Sequence, residues 1–343
     1  MKNKREGFGV LHYIIMAAVS FAVFILCVCV GSVTIPAGDT LTAIINTIFG
    51  LPIPEGISGP IILFVRLPRV LNVALVGASL SLCGGAMQGL LRNPLADGST
   101  LGVSSGASLG AVLAIALGLT IPGFTGGGIM LMAILFAFGS LMLMLSLAHK
   151  LDYSLSTNTI ILIGTVFSMF AHSLISLIIA FSGEKVKTIT FWTMGSLANT
   201  GYINVIVLLA ALILFGALIL RYCRELNAFA VGEDNARHVG VNVKKVKLVV
   251  LVAVSVLIGV CVSIGGTIGF VGLIVPHMTR MVAGPNHKRL LPACMFSGAV
   301  FLMLADLISR TILSPIELPI GVVTSFVGSV VFVYIFYKSK KVN

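Results

Sequence analysis

The chain has 343 residues, of which 58% are hydrophobic and only 10% are charged, and its formal net charge is +11. A soluble domain carries about a quarter charged residues, so this composition excludes an ordinary soluble globular protein. Apolar runs long enough to cross ~30 Å of hydrocarbon recur along the whole sequence and predict an all-α polytopic membrane protein. The basic residues lie in short clusters between these runs, which argues against a nucleic-acid partner.

We predict ten membrane spans within a single transmembrane domain that covers residues 1–343. The second span is long and rich in glycine, and the eighth is short. The predicted spans are roughly residues 11–34, 61–91, 100–120, 126–149, 159–182, 202–222, 247–267, 269–283, 290–313 and 318–337.

The distribution of lysine and arginine predicts how these spans are oriented. An even number of spans puts both termini on one side, and 17 of the 22 Lys and Arg residues fall on that side. Because loops on the cytoplasmic side are enriched in these residues, both termini are predicted to be cytoplasmic. Arg66, Arg69 and Arg310 stand out because they are predicted to lie on the external side.

The stretch from Arg66 to Gly106 combines a helix dense in small residues with a break at Arg92-Asn93-Pro94. Small residues let helix backbones approach closely, so packing is the favoured interpretation for most of them individually. Their density beside a break leaves a pathway or gate open for the group. Pro94 disfavours helix at Asn93, and a tight turn alone explains the composition there.

The longest polar interval, residues 221–247, predicts two short amphipathic helices outside the bilayer. Leu226, Phe229 and Ala230 share one helical face, Ala236 and Val239 continue the pattern, and the glycines at 232 and 240 can end short helices. The pair either rests on lipid headgroups or fills a groove on a cytoplasmic partner. Mixed charges at residues 233–238 weaken the lipid interpretation.

The remaining polar residues offer little chemistry. Asp306 and Arg310 are spaced as a local i,i+4 ion pair, and Glu317 is expected to be solvated near the outer boundary. His172 lies within a span, where a packed histidine is favoured over one that contacts substrate. The six cysteines are predicted to be small packing residues. We expect no catalytic residue and no metal site.

Two further motif classes are missing from the sequence. It contains no Walker motif, so we expect no nucleotide-binding site on this chain. It also lacks the acids in the middle of several spans that a proton- or sodium-coupled carrier uses. This disfavours a secondary transporter and indicates that the energy for transport comes from elsewhere.

Four segments carry a resemblance to a known family. The chain resembles the permease subunits of type II ABC importers for iron–siderophore, haem and cobalamin, which implies their fold of about ten helices. One departure is Gly328-Ser329-Val330, where the family usually has Gly-x-Pro. The matching segments are residues 66–69 (RLPR), 89–107 (GLLRNPLADGSTLGVSSGA), 266–277 (GTIGFVGLIVPH) and 304–324 (LADLISRTILSPIELPIGVVT).

The resemblance implies roles for particular residues. Arg66, Arg69 and Arg310 would face outward and pair with glutamates on an extracytoplasmic substrate-binding protein. The reversal of both Arg66 and Arg310 to Glu would then abolish uptake without affecting folding. A coupling set would dock on the ATPase: Phe229, Ala230, Gly232, Glu233, Ala236, Arg237 and Gly240. A cytoplasmic gate set would comprise Asn93, Pro94, Leu95, Leu155, Ser156 and Thr157.

The resemblance also implies partners, a function and a location in the cytoplasmic (inner) membrane of a bacterium. A second permease chain, identical or paralogous, would complete the pathway, and two ABC ATPase subunits would bind ATP and Mg, with no cofactor on this chain. The resulting hypothesis is a non-enzymatic permease that moves an iron–siderophore complex inward by alternating access. Haem and cobalamin remain open as substrates, and a secondary transporter or a polytopic membrane enzyme is less favoured.

Overall fold

The computed structural model of the protein describes residues 7–31, 35–53, 59–123, 126–153 and 156–340. Helix α3 contains a π-helical turn at Ile62–Arg66, and α8 contains another at Leu212–Gly216. The helices are α1 (Val10–Cys29), α2 (Ala37–Ile48), α3 (Gly59–Leu90), α4 (Val103–Leu117), α5 (Gly127–Leu151), α6 (Thr157–Phe181), α7 (Val186–Thr193), α8 (Tyr202–Arg221), α9 (Cys223–Val231), α10 (Glu233–His238), α11 (Val243–Gly265), α12 (Val271–Ala283), α13 (His287–Thr311) and α14 (Ile320–Lys340).

Each of the ten predicted spans coincides with one of these helices. Within the described ranges, seven helices are long and apolar enough to cross a membrane, namely α1, α3, α5, α6, α8, α11 and α13. Helices α4, α12 and α14 supply shorter apolar segments. The predicted short eighth span is α12, which has 13 residues. The all-α polytopic architecture predicted from the sequence is confirmed.

Two helices were not predicted, and both lie in loops that the sequence predicts to be external. Helix α2 has 12 residues and begins after Pro36, and it buries Thr40 and Ala43. Helix α7 has eight residues and buries Ile189. Each helix has too few apolar residues to stand out in a hydropathy profile. Helices this short are marginal in isolation, so packing against the spans stabilises them.

Helix α3 is the centre of the fold, and its small residues bring neighbouring backbones into direct contact. A Cβ atom placed on Gly84 would overlap the Gly272 carbonyl of α12, and a Cβ on Gly77 would overlap the Gly298 carbonyl of α13. On the cytoplasmic side, Gly89 leaves room for the His287 imidazole. The structure therefore supports packing as the role of these glycines.

We expect Gly84→Ala to destabilise the fold by about 1–3 kcal/mol, because the added methyl group overpacks the contact between α3 and α12. The matched control is Gly139→Ala on α5, where a Cβ would meet no atom within 4 Å and helix propensity improves. Thermal unfolding of the purified variants measures the difference. Equal melting temperatures for the two variants would contradict the close approach of α3 and α12.

The absent proline near Ser329 leaves α14 as one continuous α-helix from Ile320 to Lys340. Gly328 lies against the Phe270 side chain, and a Cβ at this position would lie 2.6 Å from the Phe270 Cβ and 2.7 Å from the ring. Phe270 itself has a positive φ of 68° immediately before α12. The contact between α12 and α14 thus depends on a small residue at 328.

Candidate functional site

The turn after α3 has the geometry that the sequence predicted. Helix α3 ends at Leu90, and Arg92 adopts a left-handed conformation with φ of 50°. The Leu95 N–H donates to the Asn93 side-chain oxygen at 2.9 Å, and the Ala96 N–H donates to the Asn93 carbonyl at 3.1 Å. The turn is closed by its own hydrogen bonds, which leaves Pro94 and Leu95 exposed.

The second part of the predicted gate is the beginning of α6. Ser156 caps this helix, because its hydroxyl accepts from the Thr159 N–H, and Thr157 is the first helical residue. The Asp152 carboxylate accepts from the Ser156 N–H at 3.0 Å and from the Thr159 hydroxyl at 3.2 Å. Leu155 lies outside the described residues.

Two cavities are lined by residues at or directly beside the Asn93–Leu95 turn. A cytoplasmic groove of about 730 Å³ is lined by Arg92, Ser156, Thr157 and the start of α10. A deeper cavity of about 440 Å³ is bordered by Leu95, and its lining is rich in small and hydroxyl-bearing residues. Arg92, just before the turn, borders the groove, and Leu95, within the turn, borders the deeper cavity. The turn is therefore a suitable place for a gate.

The cytoplasmic loop forms the two predicted short helices, α9 and α10. Gly232 connects them with φ of 133° and ψ of 148°, a conformation that favours glycine. Leu226, Phe229 and Ala236 are buried against the membrane domain. Lys247 of α11 is fully buried, and its Nζ lies 2.7 Å from a Glu233 carboxylate oxygen.

The coupling set divides into an inner and an outer face. Phe229 and Ala236 are buried against the membrane domain, which favours an anchoring role for them, and their part in coupling to the ATPase stays a prediction. Ala230, Arg237 and Gly240 are exposed, and Gly232 and Glu233 are half-buried.

A polar cluster that the sequence did not reveal fastens α9 to the start of α13. The Asn227 side-chain oxygen lies 2.8 Å from both the backbone nitrogen and Nδ1 of His287. The Asn227 amide donates to the Asn286 side chain at 3.0 Å. Beside this cluster, burial raises the pKa of the Cys223 thiol to about 11, and the Glu225 carboxylate adds to the shift. Cys223 is therefore a neutral packing residue.

The three arginines predicted on the external side are buried in the subunit. Arg66, Arg69 and Arg310 are only 5%, 6% and 2% exposed, so their side chains are not freely exposed as the docking hypothesis expects. Arg69 donates to Asp306 at 2.9 Å and to Glu317 at 2.6 Å, which also corrects the expectation of a fully solvated Glu317. Their role in docking a binding protein stays a prediction.

The same cluster holds the end of α1. Arg66 donates to the Cys29 carbonyl at 3.1 Å, and Arg310 donates to the Cys27 carbonyl at 2.9 Å. Both carbonyls belong to the last turn of a helix, where cations are favoured.

The predicted local pair within α13 is confirmed. Arg310 Nε lies 3.0 Å from Asp306 Oδ2, close enough for charge attraction although the alignment is too poor for a hydrogen bond. A glutamate at 310 would bring a second carboxylate against Asp306. The reversal of both Arg66 and Arg310 is therefore expected to impair folding and does not provide a clean test of docking.

A family model of the FecCD transport family matches residues 19–338. The chain belongs to this family. It is 45% identical to YvrB, an uncharacterised ABC transporter permease of Bacillus subtilis, over 82% of this chain and 80% of that protein. It is 37% identical to the cobalamin import permease BtuC of Halobacterium salinarum, over 79% of this chain and 72% of BtuC. Identity to the molybdate import permease MolB of Haemophilus influenzae is also 37%, over 82% of each chain.

The fold agrees with a solved relative. A protein described as a metal-chelate type ABC transporter, in an inward-facing conformation, superposes with a TM-score of 0.77 and 34% sequence identity. The match covers 88% of this chain and 98% of that one. The chain is a multi-pass permease subunit of an ABC importer, with the type II importer fold.

Helix α6 of this FecCD permease exposes polar side chains along one face. Thr165, His172, Ser173 and Ser176 are exposed in the subunit although they lie inside a span. The prediction of a buried, packed His172 is wrong, although one ring nitrogen lies 2.7 Å from the Ser168 carbonyl. Polar and ionisable side chains inside a membrane almost always face protein or a water-filled cavity. The hydroxyls of Thr165, Ser173 and Ser176 donate to carbonyls one turn earlier, so the His172 imidazole is the group on this face that is least suited to lipid.

Proposed function

We propose that this permease moves an iron–siderophore complex across the cytoplasmic membrane, along a pathway completed by a second permease chain. The observation that carries the proposal is the polar face of α6, because a second chain placed there would shield it from lipid. His172 borders both this face and the 440 Å³ cavity. A cavity that opens on such a face would become part of a central pathway on assembly with an identical or paralogous chain.

ATP would drive the alternation between outward and inward access from outside this chain. Two ABC ATPase subunits, which hold the ATP and Mg, would dock on the exposed faces of α9 and α10. Both chain termini would lie on that cytoplasmic side. The exposed residues Ala230, Arg237 and Gly240 and the apolar tip at Val231 and Val239 supply the docking surface.

A substrate-binding protein would dock from the external side at the arginine cluster. Arg66, Arg69 and Arg310 carry three positive charges against the two carboxylates of Asp306 and Glu317, so these five residues keep an excess of one positive charge. An acidic partner is attracted to such a surface, with a larger effect on the rate of association than on affinity.

The choice of a metal chelate is supported by two relatives and by the cavity. One relative is named for cobalamin and one solved structure for a metal chelate. Ser104, Ser105 and Ser108 line the cavity with hydroxyl groups and little bulk, which suits a large polar ligand. Cobalamin is the second candidate substrate, because the same relative and the same cavity lining support it. The molybdate relative marks a compact oxyanion as the alternative to be excluded.

Transport by proteoliposomes that contain the permease, its ATPase and its binding protein tests the proposal. We expect ATP-dependent accumulation of ferrichrome, and none with a catalytically inactive ATPase. Cobalamin, haem and molybdate are tested in parallel. Uptake that persists with the inactive ATPase would refute the ABC mechanism. Accumulation of cobalamin or molybdate in place of ferric siderophores would refute the substrate.

A further inference from the structure

Three helices meet at the Glu233 carboxylate on the cytoplasmic side. Its Oε1 atom lies 2.7 Å from Lys247 Nζ of α11 and 3.5 Å from the Thr157 hydroxyl of α6. The Lys247 side chain has no solvent exposure, whereas that of Glu233 is 24% exposed. Glu233 is the first residue of α10, so one carboxylate connects α10 to two membrane helices.

Both contacts attract the carboxylate for independent physical reasons. A fully buried lysine ammonium is costly unless a counter-charge lies beside it, and Glu233 supplies that charge. Thr157 begins a 25-residue helix, whose first turn carries the positive end of the helix dipole. The carboxylate is thus drawn toward α11 and toward the N-terminus of α6.

The placement of these contacts relates the exposed loop to the predicted gate. Glu233 follows Gly232 at the junction of α9 and α10 and lines the cytoplasmic groove together with Ser156 and Thr157. A displacement of the helix pair would therefore act on the first turn of α6 through the groove wall. The same helix carries His172 at the membrane cavity.

We propose that Glu233, held by Lys247, is a positioning residue that transmits displacement of α9 and α10 to the cytoplasmic end of α6. This inference rests on the proposed function, in which an ATPase moves the α9–α10 pair. Glu233 makes no contact with substrate in this scheme. It determines whether ATP hydrolysis is converted into opening of the gate.

The test measures substrate moved per ATP hydrolysed in the fully reconstituted importer. For Glu233→Gln we expect this ratio to fall by at least about tenfold, a typical size for coupling between distant sites. ATP hydrolysis is measured in the same preparation, so that a change in its rate alone does not alter the ratio. Asp234→Asn is the matched control, because it removes the neighbouring acid, whose pair with Arg237 is 87% and 53% exposed. This variant should keep the wild-type ratio.

A double variant separates transmission from a purely structural role. Glu233→Gln alone leaves the buried Lys247 without this carboxylate and can lower stability, whereas Glu233→Gln with Lys247→Met removes both charges and is expected to fold. If the pair only stabilises the loop, the double variant recovers the wild-type ratio, and that result would overturn the inference. If it transmits movement, the double variant folds, hydrolyses ATP and still transports poorly.

The inference and the proposed function fail in different ways. A wild-type importer without ATP-dependent uptake would refute the proposed function. A wild-type importer that works, together with variants that lose ATP hydrolysis and uptake in the same proportion, would refute only the role of Glu233. The pair would then act in assembly with the ATPase.

Discussion

Asp306→Asn is expected to destabilise the subunit by about 3–5 kcal/mol, the usual consequence of removing one partner from a buried ion pair. Asp306 is 1% exposed and lies beside both Arg69 and Arg310, at 2.9 and 3.0 Å. Its neutralisation leaves two buried guanidinium groups beside an amide of zero charge. The melting temperature in detergent and the yield of folded protein from membranes measure the loss.

The matched control is Asp234→Asn, the same chemical change in an exposed pair, which should lower the melting temperature very little. Glu317→Gln should fall between the two, because the Glu317 side chain is 30% exposed although it contacts the same Arg69. An Asp306→Asn variant as stable as Asp234→Asn would show that the cluster is well solvated in the membrane.

The spans were predictable because each is an apolar run that needs no partner to be recognised. Helices α2 and α7 were not predicted because they depend on contacts with other parts of the chain. They have 12 and eight residues, and what stabilises them is the burial of Ala43 and Ile189 against spans that are distant in sequence. Hydropathy contains no information about that contact.

Counting charges identified the arginine cluster but could not predict that its side chains are buried. The distribution of Lys and Arg identified Arg66, Arg69 and Arg310 as unusual, and the spacing of Asp306 and Arg310 gave the local pair. Their burial depends on contacts that are remote in sequence. Arg310 reaches the Cys27 carbonyl across 283 residues, and Arg69 reaches Glu317 across 248. A single sequence cannot supply such pairings.

The two helices of the 221–247 loop could be predicted from the sequence, but the polar contacts that attach them to the membrane helices could not. The spacing of apolar residues predicted α9 and α10 and the face that holds the buried Leu226, Phe229 and Ala236. Ala230 and Val239, predicted on the same face, are exposed.

The spacing could not predict that Lys247, which served only as a cytoplasmic charge in the orientation count, is fully buried beside Glu233. The role of Asn227 was also not predictable, because no sequence motif surrounds it. Only its hydrogen bond to His287 in the structure reveals that role.

Ser325→Trp is expected to block uptake while the ATPase remains active. Ser325 is exposed on α14 and lines the 440 Å³ cavity opposite Gly269, where a Cβ would lie 3.8 Å from the Ser325 hydroxyl. An indole at this position occupies space that a bulky chelate must pass. We expect uptake to fall to roughly a tenth or less, since passage depends on pore diameter and on the groups that line it.

Val330→Trp provides the control on the same helix, because Val330 is 59% exposed and is not part of the cavity lining. At five residues' distance it points about 140° away from Ser325. Both variants add an indole to α14, so a general effect on membrane insertion would reduce uptake equally in both. A selective loss with Ser325→Trp, with ATP hydrolysis retained, would place the substrate in this cavity. Normal uptake by that variant would mean that the substrate takes another route, which would remove the cavity from the proposed pathway.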